Sequence, residues 1–303
     1  MSDSNVSGST QSDDRNNDIV VAFVTPCVDE SFFEPVKMGA RDAANALGVS
    51  CRFLGTPEVD IEKQIEIVRT ELSDGCRAFA LSIVHEYAYD GLLDELKAGN
   101  IPTVAFNVNA ANETRLTGVF QNASSAGKTL GELVLPSVRQ GSRILVTYHS
   151  EGISALDERR DGIMNLLGSR KIKEDSLVTG IDSSIAAEMV RVYLAENPDV
   201  RTVIGTGLAD TEGAGLAIES LDNSGDYLLA GFDLSANILR LVKNGIIKYT
   251  IDQQPYVQGF YPVVQLVHML RYGIQPTNID AGAEIVSTHN VDSVIEQTAS
   301  GHR

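Results

Sequence analysis

From residue 18 onward, short apolar β-branched runs alternate with stretches of helical period, and this alternation constrains the chain more than any other feature. "IVVAFVT" (19–25) is a continuous strand-like run, and "FFEPVKMGARDAANALG" (32–48) then places apolar residues at helical spacing before stopping at a glycine. The pattern repeats as strand 49–55 and helix 58–73, strand 78–84 and helix 88–99, then strand "PTVAFNV" (102–108) and "TGVFQN" (117–122). A second series opens with helix 123–139 and continues through strand 143–149, helix 154–168, strand 175–181, helix 184–196, strand 200–206, helix 210–221, strand 227–232 and helix 235–244. Apolar strands bounded by amphipathic helices bury both faces of a parallel sheet. The expected fold class is therefore α/β, with two doubly wound parallel-sheet lobes, and no short fixed period points to a solenoid.

Composition matters where it excludes. A formal charge of −17 with no cluster of Lys and Arg argues against nucleic acid, because phosphate contacts need concentrated positive charge. Cys27, Cys51 and Cys76 show no metal-ligand spacing and cannot all pair within one chain, so at least one thiol is expected to be free and structural. No cofactor and no metal are expected. "MSDSNVSGSTQSDDRNND" (1–18) has one apolar residue after the initiator Met and should be disordered. No apolar run of about 18 residues is present for a membrane span.

Ligands of open parallel sheets sit beyond the carboxyl ends of the strands. Those ends read "PCVDESFF", "HEYAYD", "NVNAAN", "YHSEGIS", "GTGLADTEG", "FDLS" and "IDQQPY", rich in carboxylates, amides and aromatics. They contain no phosphate cradle of the G-x-G-x-x-G or G-x-x-x-x-G-K type. The glycines of "GTGLADTEGAG" (205–215) are better read as allowing close helix-to-strand packing than as a phosphate loop. His85 and His149 both follow strands, but no third ligand at metal spacing accompanies them, so a rim or core role is expected. Ser154, His149 and Asp157 crowd one loop and helix start without a G-x-S-x-G elbow, unlike a hydrolytic triad.

Four landmarks carry a family resemblance: "ESFFEPVKMGARDAANALG", "SALDERRDGI", "GFD" (231–233) and "TIDQQP". In this order the chain resembles the type I periplasmic sugar-binding proteins, the ribose-binding-like receptors of ATP-binding-cassette (ABC) importers, over roughly residues 18 to 290. The resemblance implies that Phe32 and Phe33 flank a sugar ring, and that Asp233 and Gln253 are the GFD carboxylate and the crossover amide that hold it. Glu30 falls where such receptors often have Asn. Asn107 and Val108 stand in place of an Asp-Arg pair, Asp157 replaces an arginine, Arg159 is retained, and Gly207 occupies the place of an Asn. These departures separate the chain from the ribose pattern and leave the sugar open.

The chemistry of a neutral sugar fits these side chains. Its hydroxyls each need a donor or an acceptor once water is excluded, and its C–H faces stack on aromatic rings. For Phe32 and Phe33 the competing role is a hydrophobic staple, and for Asp233 it is capping the helix that follows. Three crossings, near 121–122, 253–254 and 281–283, should form a hinge, with one lobe made of 18–121 plus 254–281 and the other of 122–253 plus 282–303, after a tail at 1–17. The expected function is a non-enzymatic, extracytoplasmic receptor, periplasmic or lipid-anchored with its signal sequence absent from this chain. It would deliver a sugar or polyol to the permease subunits of an ABC importer and act as a monomer. Two other classes stay open: a ligand-sensing module of a regulator or receptor for a nucleoside or quorum signal, and an enzyme on the same scaffold.

Overall fold

The computed structural model describes residues 19–29, 31–85, 87–109 and 116–303. The tail at 1–17 and Glu30 lie outside them.

The first half contributes β1 (Val20–Thr25), β2 (Ser50–Gly55), β3 (Ala78–Ile83), β4 (Thr103–Asn109) and β5 (Gly118–Phe120), interleaved with α1 (Phe33–Leu47), α2 (Ile61–Ser73) and α3 (Asp90–Ala98). The second half contributes α4 (Ala123–Val134), then β6 (Arg143–Tyr148), α5 (Ser154–Leu167), β7 (Lys173–Val178), α6 (Ser183–Glu196), β8 (Thr202–Gly205), α7 (Leu208–Glu219), β9 (Leu228–Phe232), α8 (Ala236–Lys243) and β10 (Ile247–Asp252). The chain then returns through α9 (Pro255–Tyr272) to β11 (Ile279–Asp280), and ends with β12 (Glu284–Val286) and α10 (Val291–Thr298).

Two six-stranded sheets result, ordered β11-β5-β4-β3-β1-β2 and β12-β10-β9-β8-β6-β7. The central strands are apolar and fully covered: every residue of β3 and β8 is buried, as expected for strands with helices on both faces. In each sheet the strand order reverses beside the first strand of that half, which opens a crevice at the carboxyl ends.

The structure departs from the sequence reading at the edges. β12 pairs antiparallel to β10, with Thr250 opposite Val286. Its direction follows from where it begins: the chain enters the second sheet at the crossover, beside the carboxyl ends of the parallel strands, so a strand starting there runs back against them. β11 arrives at the crossover instead, and it pairs parallel to β5. The helix expected over 123–139 stops at Val134, and Leu135–Ser137 tightens into a 3₁₀ turn around Pro136, which has no N–H to donate.

Two helix contacts set the geometry of the crevice. A Cβ on Gly39 would lie 2.1 Å from the Tyr256 carbonyl oxygen, and one on Gly259 1.9 Å from that of Val36, so α1 and α9 meet backbone to backbone. That contact fixes the start of α1, with its two phenylalanines, against the crossover that precedes α9. Likewise a Cβ on Gly127 would lie 2.1 Å from the Arg159 carbonyl oxygen, which seats α5 on α4.

The three passages between the sheets are tied together. Gln121 Nε2 donates to the Gly282 carbonyl at 2.9 Å, Gln254 Nε2 to the Ala281 carbonyl at 2.8 Å, and the Asn122 N–H to Asp280 Oδ1 at 3.2 Å. Each bond joins two different passages, so the connection behaves as one unit.

Candidate functional site

Between the two halves lies a cavity of about 60 Å³. The first half presents Cys27 after β1, Phe32 and Phe33 at the start of α1, Val84 after β3, and Asn107 and Val108 at the end of β4. The second presents His149 after β6, Leu156 and Arg159 from α5, Leu208 from α7 and Asp233 after β9, with Gln253 entering from the crossover. Every contributing loop follows the carboxyl end of a strand, as the doubly wound topology requires.

Six non-glycine residues among those described have positive φ; three of them line this cavity, Cys27 (53°), Asn107 (61°) and Asp233 (70°), and a fourth, Gln254 (51°), follows Gln253 in the crossover. Such conformations cost about 1–3 kcal/mol each and persist where surroundings enforce them. At Asp233 the enforcement is visible: its N–H donates to the Ile251 carbonyl at 2.8 Å, and its carbonyl accepts from Thr250 Oγ1 at 2.8 Å.

The polar floor is a connected network. Gln253 Nε2 donates to Asp233 Oδ1 at 2.5 Å, and Gln258 Nε2 donates back to the Gln253 carbonyl at 2.7 Å. Arg159 donates from Nε and Nη2 to Gln121 Oε1 at 3.2 and 3.0 Å, and from Nη1 to the Thr206 carbonyl at 2.8 Å. Its Nη1 lies 3.8 Å from Asp233 Oδ2, an ion pair too long for a hydrogen bond, and its guanidinium sits 4.3 Å from the centre of the Phe232 ring. Asp233 and Arg159 are 5% and 4% exposed, so neither is solvated by bulk water; Asp233 is the first of the carboxylates whose charge stabilises Arg159, ahead of Asp210 and Glu158. Burial raises the Asp233 carboxyl above its ordinary value, while the Arg159 charge and the Gln253 amide pull against that rise.

A second buried carboxylate stands behind the first. Asp210 accepts from the N–H groups of Thr206 and Gly207 at 2.7 and 3.0 Å and from Thr147 Oγ1 at 3.1 Å, yet burial still pushes it up to about 7. It holds the turn whose Thr206 carbonyl receives Arg159. Burial, followed by the Arg159 charge, lowers the His149 imidazole to about 4. The ring leans on Gly207, where an added Cβ would fall 2.4 Å from His149 Cδ2.

The structure thus brings Phe32, Phe33, Asn107, Arg159, Asp233 and Gln253 to one cavity. Asp157 is not among them: it is exposed on α5, two residues and about 200° around the helix from Arg159. Both phenylalanines line the cavity, with ring centroids 5.1 Å apart in an edge-to-face pair. Asp233 does not cap α8; Ser235 does, its hydroxyl accepting the Ile238 N–H at 3.0 Å. His149, expected at a rim or in the core, is a lining residue and bonds Ser150 rather than Ser154. His85 is exposed. Among the described residues no cluster of three metal-ligating side chains occurs, and none of the three cysteines forms a disulfide. Of the glycines of 205–215, Gly205 packs strand on helix as read, a Cβ there lying 2.2 Å from Thr211 Oγ1, whereas Gly213 makes room for α6 and Gly207 for the His149 ring.

Sequence reasoning passed over Asp210 and Gln121. Asp210 sits three residues after the N-terminal cap of α7 at Gly207, the position at which an acidic side chain reaches back to the cap backbone, and that spacing was a usable signal. Gln121 had none, because its role depends on a contact with Arg159 thirty-eight residues away.

A wider groove, about 740 Å³, opens from the cavity on the side of α1, α8 and α10, and Phe32, Asp233 and Gln253 line both spaces.

Comparison with known proteins adds family. Residues 21–274 match the model of the periplasmic binding protein domain. The xylose/arabinose-binding protein XylF of Sulfolobus acidocaldarius is 25% identical over 289 residues, covering 89% of this chain and 71% of its own length. The ribose import binding protein RbsB of Haemophilus influenzae is 21% identical, covering 88% of this chain and 91% of that protein. Among solved structures, a solute-binding protein of an ABC transporter from Burkholderia graminis, in complex with D-arabinose, superposes with a TM-score of 0.85 at 23% identity over 92% of this chain and 98% of that one, a likeness of fold.

Proposed function

This chain belongs to the periplasmic binding protein domain family, and on that premise we propose that it is an extracytoplasmic receptor that captures a small neutral sugar or polyol between its halves and passes it to an ABC importer. The observation that carries the reading is the Asp233–Gln253 hydrogen bond in a cavity that Phe32 and Phe33 also line. A carboxylate oxygen and an amide suit hydroxyls, which each act as donor and acceptor. The aromatic pair suits the C–H face of a sugar ring. Asn107 from the first half and Arg159 from the second complete the polar contacts, and Glu30 belongs to the same set by its place in the sequence.

A cavity of about 60 Å³ is well below the 300 Å³ at which small-molecule pockets begin. Entry of a sugar requires the halves, 18–121 with 254–281 and 122–253 with 282–303, to part about the three linked passages and close again. Hinge closure of this type gives both halves a share of the ligand, so bound ligand stabilises the closed form. The protein acts as a monomer that presents this closed form to the permease subunits, and no catalytic step is part of its cycle. Among the described residues no helix is long and apolar enough to cross a membrane. Attachment at the cell surface through lipid, or residence in the periplasm, would be supplied by segments outside the folded halves.

Mass spectrometry of the small molecules released on denaturing freshly purified protein tests the reading. A pentose, hexose, deoxysugar or polyol at near-stoichiometric amount supports it. A nucleoside or a quorum signal as the sole released ligand would replace it with the corresponding receptor.

A further inference from the structure

The 740 Å³ groove beside the cavity has a chemistry of its own. In a chain of net charge −17, the groove carries Lys37 and Arg41 from α1 and Arg240 and Lys243 from α8, against exposed Glu34 and buried Asp233 and Asp252 as the acidic residues among its described lining. Three of the four cations have partners: Lys37 with exposed Glu34 at 2.7 Å, Lys243 with exposed Asp292 at 2.8 Å, and Arg240 with half-buried Glu219 through two bonds at 2.6 and 2.9 Å. Single-bond pairs with an exposed carboxylate are worth about 0–1 kcal/mol, so Lys37 and Lys243 can take a new anionic partner at little cost, whereas the forked Arg240–Glu219 pair stays engaged. Arg41 has no ion-pair partner among the described residues and is exposed. The floor between is apolar, formed by Met38, Leu234, Leu239 and Ile295.

At its base the groove holds a buried acceptor and a buried donor that nothing satisfies. Asp252 is 1% exposed; its Oδ1 accepts the Gln254 N–H at 2.8 Å, but its Oδ2 has no hydrogen-bond partner. Arg303 pairs through Nη2 with Glu284, while its Nη1 also lacks a hydrogen-bond partner and lies 3.7 Å from Asp252 Oδ2. A buried unpaired acceptor costs about 1–3 kcal/mol. Both atoms are closed to solvent in this structure, so a ligand hydroxyl bridges them, donating to the carboxylate and accepting from the guanidinium, only when the groove opens as the halves part.

We propose that the ligand extends beyond the central cavity, and that this groove is a second subsite for the outer unit of an acidic glycoside: a disaccharide whose first sugar occupies the Asp233–Gln253 cavity and whose second carries a carboxylate toward Lys37, Arg41 and Lys243. The shared residues Phe32, Asp233 and Gln253 form the passage between the two subsites. The hydroxyl-seeking base, the apolar floor and the cationic rim then meet, in order, the hydroxyls, the C–H face and the carboxylate of one ligand. This inference rests on the sugar-receptor reading above.

Calorimetric titration of the full chain tests it with three sets of probes: monosaccharides (xylose, arabinose, glucose, galactose), neutral disaccharides (xylobiose, cellobiose) and acid-bearing ones (glucuronosyl-xylose, digalacturonate). At low salt an acid-bearing disaccharide should bind at least tenfold tighter than the neutral ones. That preference should shrink as salt rises through the screening range, and should disappear in the double variant Arg41→Ser, Lys243→Ser, whose monosaccharide affinity provides the internal reference. Binding of monosaccharides alone, equal affinity for neutral and acid-bearing disaccharides, or a preference that survives the double variant each overturns the second subsite while leaving the receptor reading intact. Failure of every sugar to bind overturns the receptor reading and this one with it.

Discussion

Gln253 donates a 2.5 Å hydrogen bond from Nε2 to Oδ1 of Asp233, and the two residues reach that contact from the ends of adjacent parallel strands, β10 and β9. Asp233 holds φ at 70° to make it. The pair therefore ties ligand chemistry to the passage between the halves: a change in the crossover backbone at Gln253 and Gln254 moves the amide that orients the carboxylate.

Removing the Asp233 charge should cost affinity and stability together. Asp233→Asn keeps a side chain that tolerates positive φ but leaves Arg159, 4% exposed, without the first of its counter-charges. Ligand affinity should fall by about 1.5–3 kcal/mol, the range for hydrogen bonds to charged groups, and the melting temperature should drop as well. Titration calorimetry and thermal melts on the same preparation read both; a variant with wild-type affinity would remove Asp233 from the binding set.

Arg159→Met should act chiefly on stability. It deletes the bonds to Gln121 and the Thr206 carbonyl and strands the buried Asp233 carboxylate, a loss of about 3–5 kcal/mol for breaking a buried pair. Combined with Asp233→Asn the losses should be less than additive, because the second change removes a charge the first left uncompensated. Chemical denaturation of the four proteins in the cycle measures the coupling, and simple additivity would mean that the 3.8 Å pair carries no interaction.

Gly207→Ala separates packing at the site from folding. Its φ of −144° suits alanine, but the new methyl would meet His149 Cδ2 at 2.4 Å and push the ring aside. Ligand affinity should fall about tenfold or more with little change in melting temperature, since a tenfold loss needs only about 1.4 kcal/mol of disturbed contact. Unchanged affinity would show that the ring position is irrelevant to the ligand.

His149 should make the site acid-sensitive. Its folded value is lowered to about 4 from an ordinary value near 6.5, so the unfolded chain binds the proton first as pH falls. Its contribution to stability is complete above about 6.5 and is lost progressively toward 4. Asp210, raised to about 7, works oppositely: its contribution is complete below its ordinary carboxylate value and is lost as pH rises through 7. Histidine proton resonances followed from pH 7 to 3.5 should show His149 titrating near 4, and His149→Asn should flatten the acid side of the melting profile relative to wild type. A midpoint near 6.5 would contradict the burial argument.

The fold was legible because both of its periods are strong: β1, β3, β4 and β8 are apolar runs and α1 is long and amphipathic, so the expected spans differ from the observed ones by one or two residues at these. Short elements were not: β11 has two residues, and the eight of α10 place Val291, Val294 and Ile295 at helical spacing over barely two turns. At the site, Asp233, Gln253, Phe32 and Phe33 follow strand ends, where the topology sends ligand-facing groups. Asp157 failed the same logic because strand-end placement says nothing about azimuth on the helix that follows, and its neighbours Leu156 and Arg159 took the inward face. Gln121 was invisible as a site residue because its importance is a contact with Arg159 across 38 positions of sequence, whereas Asp210 carried a local capping signal but not its bond to Thr147, 63 positions away.

The central claim, that Gln253 and Asp233 hold a sugar between the halves, is tested most directly by calorimetric titration of wild type and Gln253→Ala with a panel of pentoses, hexoses, deoxysugars and polyols. The account predicts that at least one of these binds wild type with one-to-one stoichiometry, and that at 100 times its dissociation constant it adds about 2.7 kcal/mol to folding stability. The same ligand should bind Gln253→Ala more weakly by about 1–3 kcal/mol. A wild-type protein that is cooperatively folded and binds none of the panel, or a Gln253→Ala variant that binds its sugar as tightly as wild type, would contradict it.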